Sequence, residues 1–439
     1  MSRPILLGVA GVALAATVVV VLRHRAAPVA SAPVASEEQP TALAHAEPVA
    51  RAPEPPAAAS AALAGLDLAR ITVTEGGATA PADAGTARLS LDAALQRQAL
   101  GLMEAHHLPE AAVVLMDVAT GKLLVYASHG GKGGPRDLCS EASAPSASVF
   151  KIVTAAALVQ DAHLGPETRQ CYSGGEQRIG AADLVDDPQR DRWCTTLGGA
   201  LGRSINTVFA RLARERLTPA QLEAMAERFG YGDGVEFDVP VQPGALHIPS
   251  EPLEFARTAA GFWNTTLSPL QAAEMSAIVA REGETIRPSI ATQVVSPTGA
   301  IAWTAPESHA SRRAIGKETA ASLEAMMDHT VNEGTSYKAF HDPKGGAFLP
   351  GIQVAGKTGT LTEGETQRYY TWFTGFAPAK RDASAPQVAV AVLVVNGPIW
   401  QVKANVLARD VLRAYFAEQG VQGVSRPSTR EVARHHKRP

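Results

Sequence analysis

The stretch that decides the reading of this chain is Ser146-Ala147-Ser148-Val149-Phe150-Lys151, which opens into a mostly apolar run from Ile152 to Val159. The run reads as a buried helix. If the helix begins at Ser148, Lys151 lies three residues on, over the same face. A hydroxyl and an amine then meet at a helix N-terminus, where the dipole and the free backbone N–H groups favour developing negative charge. That is one arrangement that turns a weak serine into a nucleophile. Taken alone, the stretch also fits a merely capped helix. A serine three residues before a lysine arises by chance about once or twice in a chain of this size. Its meaning rests on the partners that the other residues supply.

A chain of 439 residues allows about two or three domains. Hydrophobic residues at 46% and charged residues at 19% suit a globular core, and a net charge of -3 carries no nucleic-acid signal. Residues 421–439, with the basic run Arg426 to Pro439, read as a solvated, disordered tail. Of the three cysteines, Cys139, Cys171 and Cys194, none forms a Cys-x-x-Cys pair, and no His/Cys cluster has metal spacing. In an oxidising compartment Cys171 and Cys194 could pair, leaving Cys139 free; the sequence leaves this open.

From Pro4 to Leu22 the chain is apolar but for Thr17. At about 1.5 Å per residue this run reaches roughly 28 Å, enough for the hydrocarbon core of a bilayer. It reads as an uncleaved single-pass anchor within residues 1–25. The competing reading is a signal peptide cut near Ala30-Ser31-Ala32. Residues 26–88 are expected to be a linker, mostly Ala and Pro to about Gly65, with one short strand over Leu66 to Val73 and loop from Gly76 to Gly85.

The ordered domain is expected over 89–420. Ser90 is the candidate cap of a helix whose apolar residues recur at helical spacing to about His106. His106 and His107 read as helix-end residues. Ala111 to Val118 and Leu123 to Ala127 read as a hairpin about the turn Ala119-Thr120-Gly121-Lys122. Gly165 to Arg192 is polar and irregular, and a helical region headed by Ser204-Ile205-Asn206 follows, running to about Gly283. Glu318 to Thr330 reads as a further helix. Gly351 to Gly359, Tyr369 to Phe376 and Val388 to Asn396 then read as strands, and Gln401 to Gln419 as a closing helix. The expectation is an α/β domain of α+β type. An antiparallel sheet is assembled from its two ends and flanked by helices, with an all-helical insert between.

Three short pieces occur in order: Ser148-Val149-Phe150-Lys151, Ser204-Ile205-Asn206 and Lys357-Thr358-Gly359-Thr360. A serine attacking a carbonyl needs a base, a proton relay and donors for the oxyanion. Lys151 is the nearest candidate base. A free lysine has a pKa of about 10.4, so it must lose its charge to serve. Burial and a second cation, Lys357, would both drive that. In Ser204-Ile205-Asn206 two polar side chains alternate with an apolar one, so Ser204 and Asn206 can face a cleft. Ser204 suits a proton relay and Asn206 a substrate amide. Lys357 and Thr358 suit a substrate carboxylate, and Gly359 gives room for close backbone approach. An extended substrate could lie along this strand as an added strand.

Together the pieces resemble the motif triplet of penicillin-binding proteins and serine β-lactamases. The resemblance is to the transpeptidase domain of penicillin-binding proteins. It extends to Leu91-Asp92 through Leu123, Ser268-Pro269-Leu270-Gln271-Ala272 to Pro288, Gly334-Thr335, and Trp372-Phe373-Thr374-Gly375-Phe376-Ala377-Pro378. It implies a penicillin-binding/β-lactamase-like fold and a D,D-transpeptidase acting through a serine acyl-enzyme on peptidoglycan stem peptides ending in D-alanyl-D-alanine. Ser148 would be the nucleophile, Lys151 the base and Ser204 the relay. Asn206, Lys357, Thr358, Gly359 and Thr360 would hold substrate, and the N–H groups of Ser148 and Thr360 would form the oxyanion hole. β-Lactams would act as covalent inhibitors, and no metal or cofactor would be required. The catalytic domain would lie outside the cytoplasmic membrane, with cell-wall synthesis proteins as partners. No glycosyltransferase domain is expected ahead of it, only the anchor and spacer. Gly261-Phe262-Trp263-Asn264 lacks the Gly-Gln-Gly piece of many members. The alternatives are a D,D-carboxypeptidase, a serine β-lactamase, or a non-catalytic β-lactam sensor or scaffold.

Overall fold

Two β-branched stretches from opposite ends of the domain meet side by side in the middle of one sheet, and the rest of the architecture follows from that pairing. The computed structural model describes residues 61–428, apart from 131–133, 176–177, 307–310, 364–366 and 380–384. In chain order the elements begin with β1 (Thr72–Thr74), β2 (Gly77–Ala82), β3 (Gly85–Leu89), α1 (Ala93–Ala105), β4 (Glu110–Asp117), β5 (Leu123–His129) and β6 (Ala144–Pro145). A 3₁₀ turn, Ala147–Phe150, leads into α2 (Lys151–Gln160). Then come β7 (Arg169–Tyr172), β8 (Trp193–Thr196), α3 (Leu197–Arg203), α4 (Asn206–Arg216), α5 (Pro219–Arg228), α6 (Pro252–Ala259), β9 (Thr266–Leu267) and α7 (Pro269–Ala280). The chain continues through β10 (Ala291–Val295), β11 (Ile301–Thr304), α8 (Lys317–Asn332) and α9 (Tyr337–Phe340). It closes with β12 (Ala355–Glu363), β13 (Arg368–Ala377), β14 (Val388–Asn396) and α10 (Ala404–Glu418).

The main sheet runs β12-β13-β14-β4-β5, antiparallel throughout. Val390 of β14 faces Leu115 of β4 across the central pair. Every residue of β14 is buried, because both faces of the sheet are covered. Period-two alternation sorts its side chains into two cores. Val114, Met116, Ala391 and Trp372 join the helical block, while Val113, Leu115, Val390 and Phe373 pack with α1 and α10. α2 is buried almost all round, as a helix with no polar face must be.

Residues 61–88, expected as linker, instead carry the first three strands. β1, β2 and β3 join β10 and β11 in a second five-stranded sheet. Its buried positions are small, such as Ala78, Ala80 and Ala87, so the strands leave little hydrophobic signal in sequence. Their partner β10 pairs Val294 with Ala87 from far along the chain. The cap of α1 is Asp92, which accepts the N–H groups of Ala94 and Leu95 at 2.8 and 2.9 Å. Ser90, expected there, instead donates to the Leu123 carbonyl at 2.6 Å. Residues 421–428, expected as tail, lie against the domain: Gln98 donates to the Pro427 carbonyl and Arg413 to Ser425. The expected anchor over Pro4–Leu22 lies outside the described residues; among the described residues no helix is long and apolar enough to cross a membrane.

α10 is fixed to α1 by a buried charge cluster. Asp410, 1% exposed, accepts two hydrogen bonds from Arg409, at 2.8 and 2.9 Å, lies 3.5 Å from Arg413, and faces His106 at 3.9 Å. Burial alone would raise its pKa; the hydrogen bond with His106 and the two guanidinium groups outweigh burial and lower it. A depressed carboxyl stabilises the fold above its unfolded pKa, and that contribution is lost as pH falls through the folded value. Asp410→Ala leaves two arginines buried without their anion. It should cost about 3–5 kcal/mol at neutral pH, read as a lower urea midpoint, with the deficit shrinking in acid.

Candidate active site

The 3₁₀ turn before α2 does what the sequence spacing requires. In a 3₁₀ turn side chains three apart eclipse, so Ser148 and Lys151 line up. Lys151 Nζ donates to Ser148 Oγ at 2.8 Å. The helix proper starts at Lys151 rather than at Ser148, the start expected from sequence. Ala147, just before the serine, is left-handed at φ 48°. Two glycines fit around this turn. Gly261 has φ +82°, and a Cβ there would meet the Ala147 carbonyl oxygen at 2.4 Å. At Gly359 on β12 a Cβ would meet Ala147 Cβ at 3.2 Å. The close approach expected of Gly359 is thus made to the serine turn itself.

Lys151 is fully buried. Besides Ser148, its Nζ donates to Asn206 Oδ1 and to the Ala260 carbonyl, both at 2.6 Å. In the protonated form these contacts use all three ammonium donors; in the neutral form Nζ keeps two and accepts from the Ser148 hydroxyl, and none of the partners is a carboxylate. The Phe209 ring centroid lies 5.7 Å away. Burial pushes the Lys151 pKa well below the usual lysine range, and the positive charge of Lys357 pushes it further.

The second piece sits at a junction rather than at the head of a helix. Ser204 ends α3 in the left-handed conformation, φ 60°, Ile205 caps α4, and Asn206 opens it. The kink lets Ser204 face β12 while Asn206 faces α2. Lys357, also fully buried, donates to Ser204 Oγ at 3.0 Å and to the Thr358 carbonyl at 2.8 Å. Burial lowers its pKa to about 7. Thr358 Oγ1 shares a hydrogen bond with Thr335 Oγ1 at 2.6 Å, and Thr335 N–H is held by the Gly202 carbonyl beside Ser204. Thr360 is exposed on β12, the terminal strand of the main sheet.

The structure thus links Ser148, Lys151 and Asn206 directly, and Ser204, Lys357 and Thr358 through a second set of bonds. Sequence reasoning missed the Ala260 carbonyl, since a backbone acceptor has no residue-type signal; the nearby Gly261 was the only hint. It noticed Thr335 only as part of the resemblance. Among the described residues no three His, Cys, Asp or Glu side chains converge as a metal site. Cys171 and Cys194 are disulfide-bonded, and Cys139 is buried and free.

An edge-strand lysine facing a serine–lysine turn, in a sheet with helices on both faces, is the arrangement that the sequence resemblance to penicillin-binding transpeptidase domains implies. The chain belongs to the penicillin binding protein transpeptidase domain family, whose model matches residues 111–413. The peptidoglycan D,D-transpeptidase PbpA of Mycobacterium tuberculosis is 30% identical over 273 residues, covering 58% of this chain and 50% of that protein. The chain thus spans about half the length of the curated relatives it matches. The crystal structure of the D,D-transpeptidase domain of a peptidoglycan glycosyltransferase from Eggerthella lenta superposes with TM-score 0.62 at 26% identity, covering 76% of this chain and 84% of that one. That of PBPA from Mycobacterium tuberculosis shares the fold at TM-score 0.60 and 24% identity, covering 74% and 79%.

The buried lysines predict a stability signature. An unfolded lysine titrates near about 10.4, and Lys357 in the fold near about 7. Below the folded value both states are protonated, and the fold bears the full cost of a dry charge. Between the two values the unfolded chain binds more protons, so stability rises with pH. Lys357→Met should therefore stabilise the protein by about 1–3 kcal/mol in mild acid, an advantage that shrinks in alkali. Thermal unfolding on both sides of neutrality measures it.

Proposed function

We propose that this protein is a penicillin-binding D,D-transpeptidase that cross-links peptidoglycan stem peptides ending in D-alanyl-D-alanine, through an acyl-enzyme on Ser148. The observation that carries this reading is the 2.8 Å contact between Ser148 Oγ and a fully buried Lys151. A lysine in so dry a place, beside a second lysine, favours its neutral form and so accepts a proton. The relatives' names, D,D-transpeptidase among them, support the same assignment.

In this mechanism the terminal carboxylate of the donor peptide is held by Lys357 and Thr358, with Thr335 alongside. Its arrival restores the charge of Lys357, because an anion favours the protonated amine. Asn206 holds a substrate amide as well as Lys151. The donor lies along the outer edge of β12 as an added strand. Ser148 Oγ attacks the carbonyl of the penultimate D-alanine, and its proton passes to Lys151 Nζ. The backbone N–H groups of Ser148 and Thr360 carry the oxyanion. On collapse the C–N bond breaks, and the proton passes through Ser204, steadied by Lys357, to the departing D-alanine amine. An amine of a second stem peptide then attacks the ester, loses its proton along the same relay, and frees Ser148. β-Lactams enter by the first step and remain attached.

Residues Pro4–Leu22 serve in this reading as a single membrane anchor, with the catalytic domain outside the cytoplasmic membrane. The Cys171–Cys194 disulfide supports an oxidising compartment.

A fluorescent penicillin should form a long-lived adduct with the wild-type chain and none with Ser148→Ala. Lys151→Ala should slow adduct formation by roughly 10²–10⁴-fold while leaving the circular dichroism spectrum unchanged. With a donor peptide, D-alanine release should be accompanied by cross-linked product when an acceptor amine is present. Release without cross-linking would assign a carboxypeptidase, and rapid hydrolysis of the drug a β-lactamase. Absence of any adduct would overturn the serine acyl-enzyme altogether.

A further inference from the structure

Cys171 and Cys194 face each other across the β7–β8 pair and are joined there. The bond closes the base of the loop between these strands. Two arginines from two different helices hold that loop. Arg211 of α4 is wholly buried. It donates to the carbonyls of Cys171 and Asp183 at 3.0 and 2.6 Å, to Asp186 at 2.9 Å, and to both oxygens of Asp191 at 2.6 and 3.1 Å. Asp191 in turn accepts the Asp187 N–H and the Ser173 hydroxyl. From α6, Arg257 donates Nε and Nη2 to the Ile179 carbonyl at 2.9 and 2.7 Å. Thr207, next to Asn206, donates to the Gly174 carbonyl at 2.8 Å.

The two helices tied to this loop are the two that hold Lys151 from outside its own turn. Asn206 opens α4, and Ala260, the cap of α6, supplies the carbonyl. The helices pack on each other, and the loop bonds to both. We propose that the disulfide-closed loop is a brace that fixes α4 against α6. It acts through Arg211 and Arg257 as positioning residues, and so sets the Asn206 and Ala260 acceptors around Lys151. The inference rests on the acyl-enzyme reading and deepens it. Two hydrogen bonds of 2.6 Å have little slack. A misplacement of about 1 Å in such a constellation costs on the order of 10²-fold in rate.

The groups facing Lys151 are Ser148 from its own turn, Asn206 and the Phe209 ring from α4, the Ala260 carbonyl from α6, and Lys357 from β12. Slackening the brace separates the α4 and α6 members of this shell and admits water. The protonated lysine then regains solvation, and a higher pH is needed to empty it. A loop that merely stabilised the fold would lower the melting temperature and leave this pH dependence where it was.

The test uses the full chain in detergent, acylated by a fluorescent penicillin from about pH 5 to about pH 9, below the melting point of every variant. Cys171→Ser/Cys194→Ser and, separately, Arg257→Gln should each acylate about tenfold more slowly at neutral pH, with the acid limb moved upward by about one pH unit and the rate recovering in alkali. Arg257→Lys, which keeps a cationic donor for Ile179, should recover part of the loss. Variants with the wild-type pH profile, whatever their melting temperature, overturn the brace. If the double serine variant does not fold, Arg257→Gln, altered at a partly exposed side chain, decides the matter. A wild-type chain that forms no adduct at any pH overturns the acyl-enzyme reading and the brace with it.

Discussion

The site depends on one unfavourable placement: an amine in the dry interior with three acceptors and no anion. Lys151 meets a hydroxyl, a side-chain amide oxygen and a backbone carbonyl. A carboxylate in any of these positions would hold the proton on the lysine and remove the basis for the proposed base. Much of the surrounding architecture can be understood as keeping that arrangement dry and exact in register. α2 is buried almost all round, so no water runs along the helix to its first residue. Gly261 brings its backbone against the serine turn at a distance no side chain would permit, and Gly359 brings a second backbone into tight contact with it. β12 adds Lys357, a second buried amine whose charge opposes that of Lys151. Such a cluster subtracts from stability, and the two cores on either face of the main sheet supply the margin that lets it persist.

The sequence made the chemistry more legible than the framework. Side chains of types suited to acyl transfer stand in short runs, and the strands of the final meander carry strong β-branched or aromatic signals. The second sheet was hidden because its buried residues are mostly alanines and its strands pair across some two hundred positions. Ser90 and Asp92 are both good caps, and only the competing bond from Ser90 to Leu123 decides between them. Ser204 was read as the start of a helix because nothing local reveals that a non-glycine residue will take the left-handed conformation. The Ala260 carbonyl contact and the Arg211 cluster are tertiary facts: an arginine on a helix looks like surface until its five acceptors converge.

Three segments meet at the cleft, and their mutual bonds make it one unit. Thr335 follows α8 and touches both Gly202, beside the relay candidate Ser204, and Thr358, on the lysine strand. Trp372 of β13 donates to the Pro145 carbonyl at 2.9 Å, which ties the sheet to the chain just ahead of the serine. The sheet edge, the junction between α3 and α4, and the serine turn are therefore tied to one another by direct hydrogen bonds. A substrate adding along β12 would meet a preformed groove, with little ordering left to accomplish on binding.

The side-by-side placement of β4 and β14 also sets a timetable. A chain threaded from its N-terminus delivers β4 early and β14 nearly last, with the whole helical block between them. β4 and β5 can form a hairpin at once, but the central pairing must await almost the entire domain. Contacts so distant in sequence close slowly, and until they close one long edge of β4 lies unpaired. Since β12 and β13 join the sheet only through β14, the lysine strand cannot be docked against the serine turn in a partly emerged chain. The serine turn is made early and completed late.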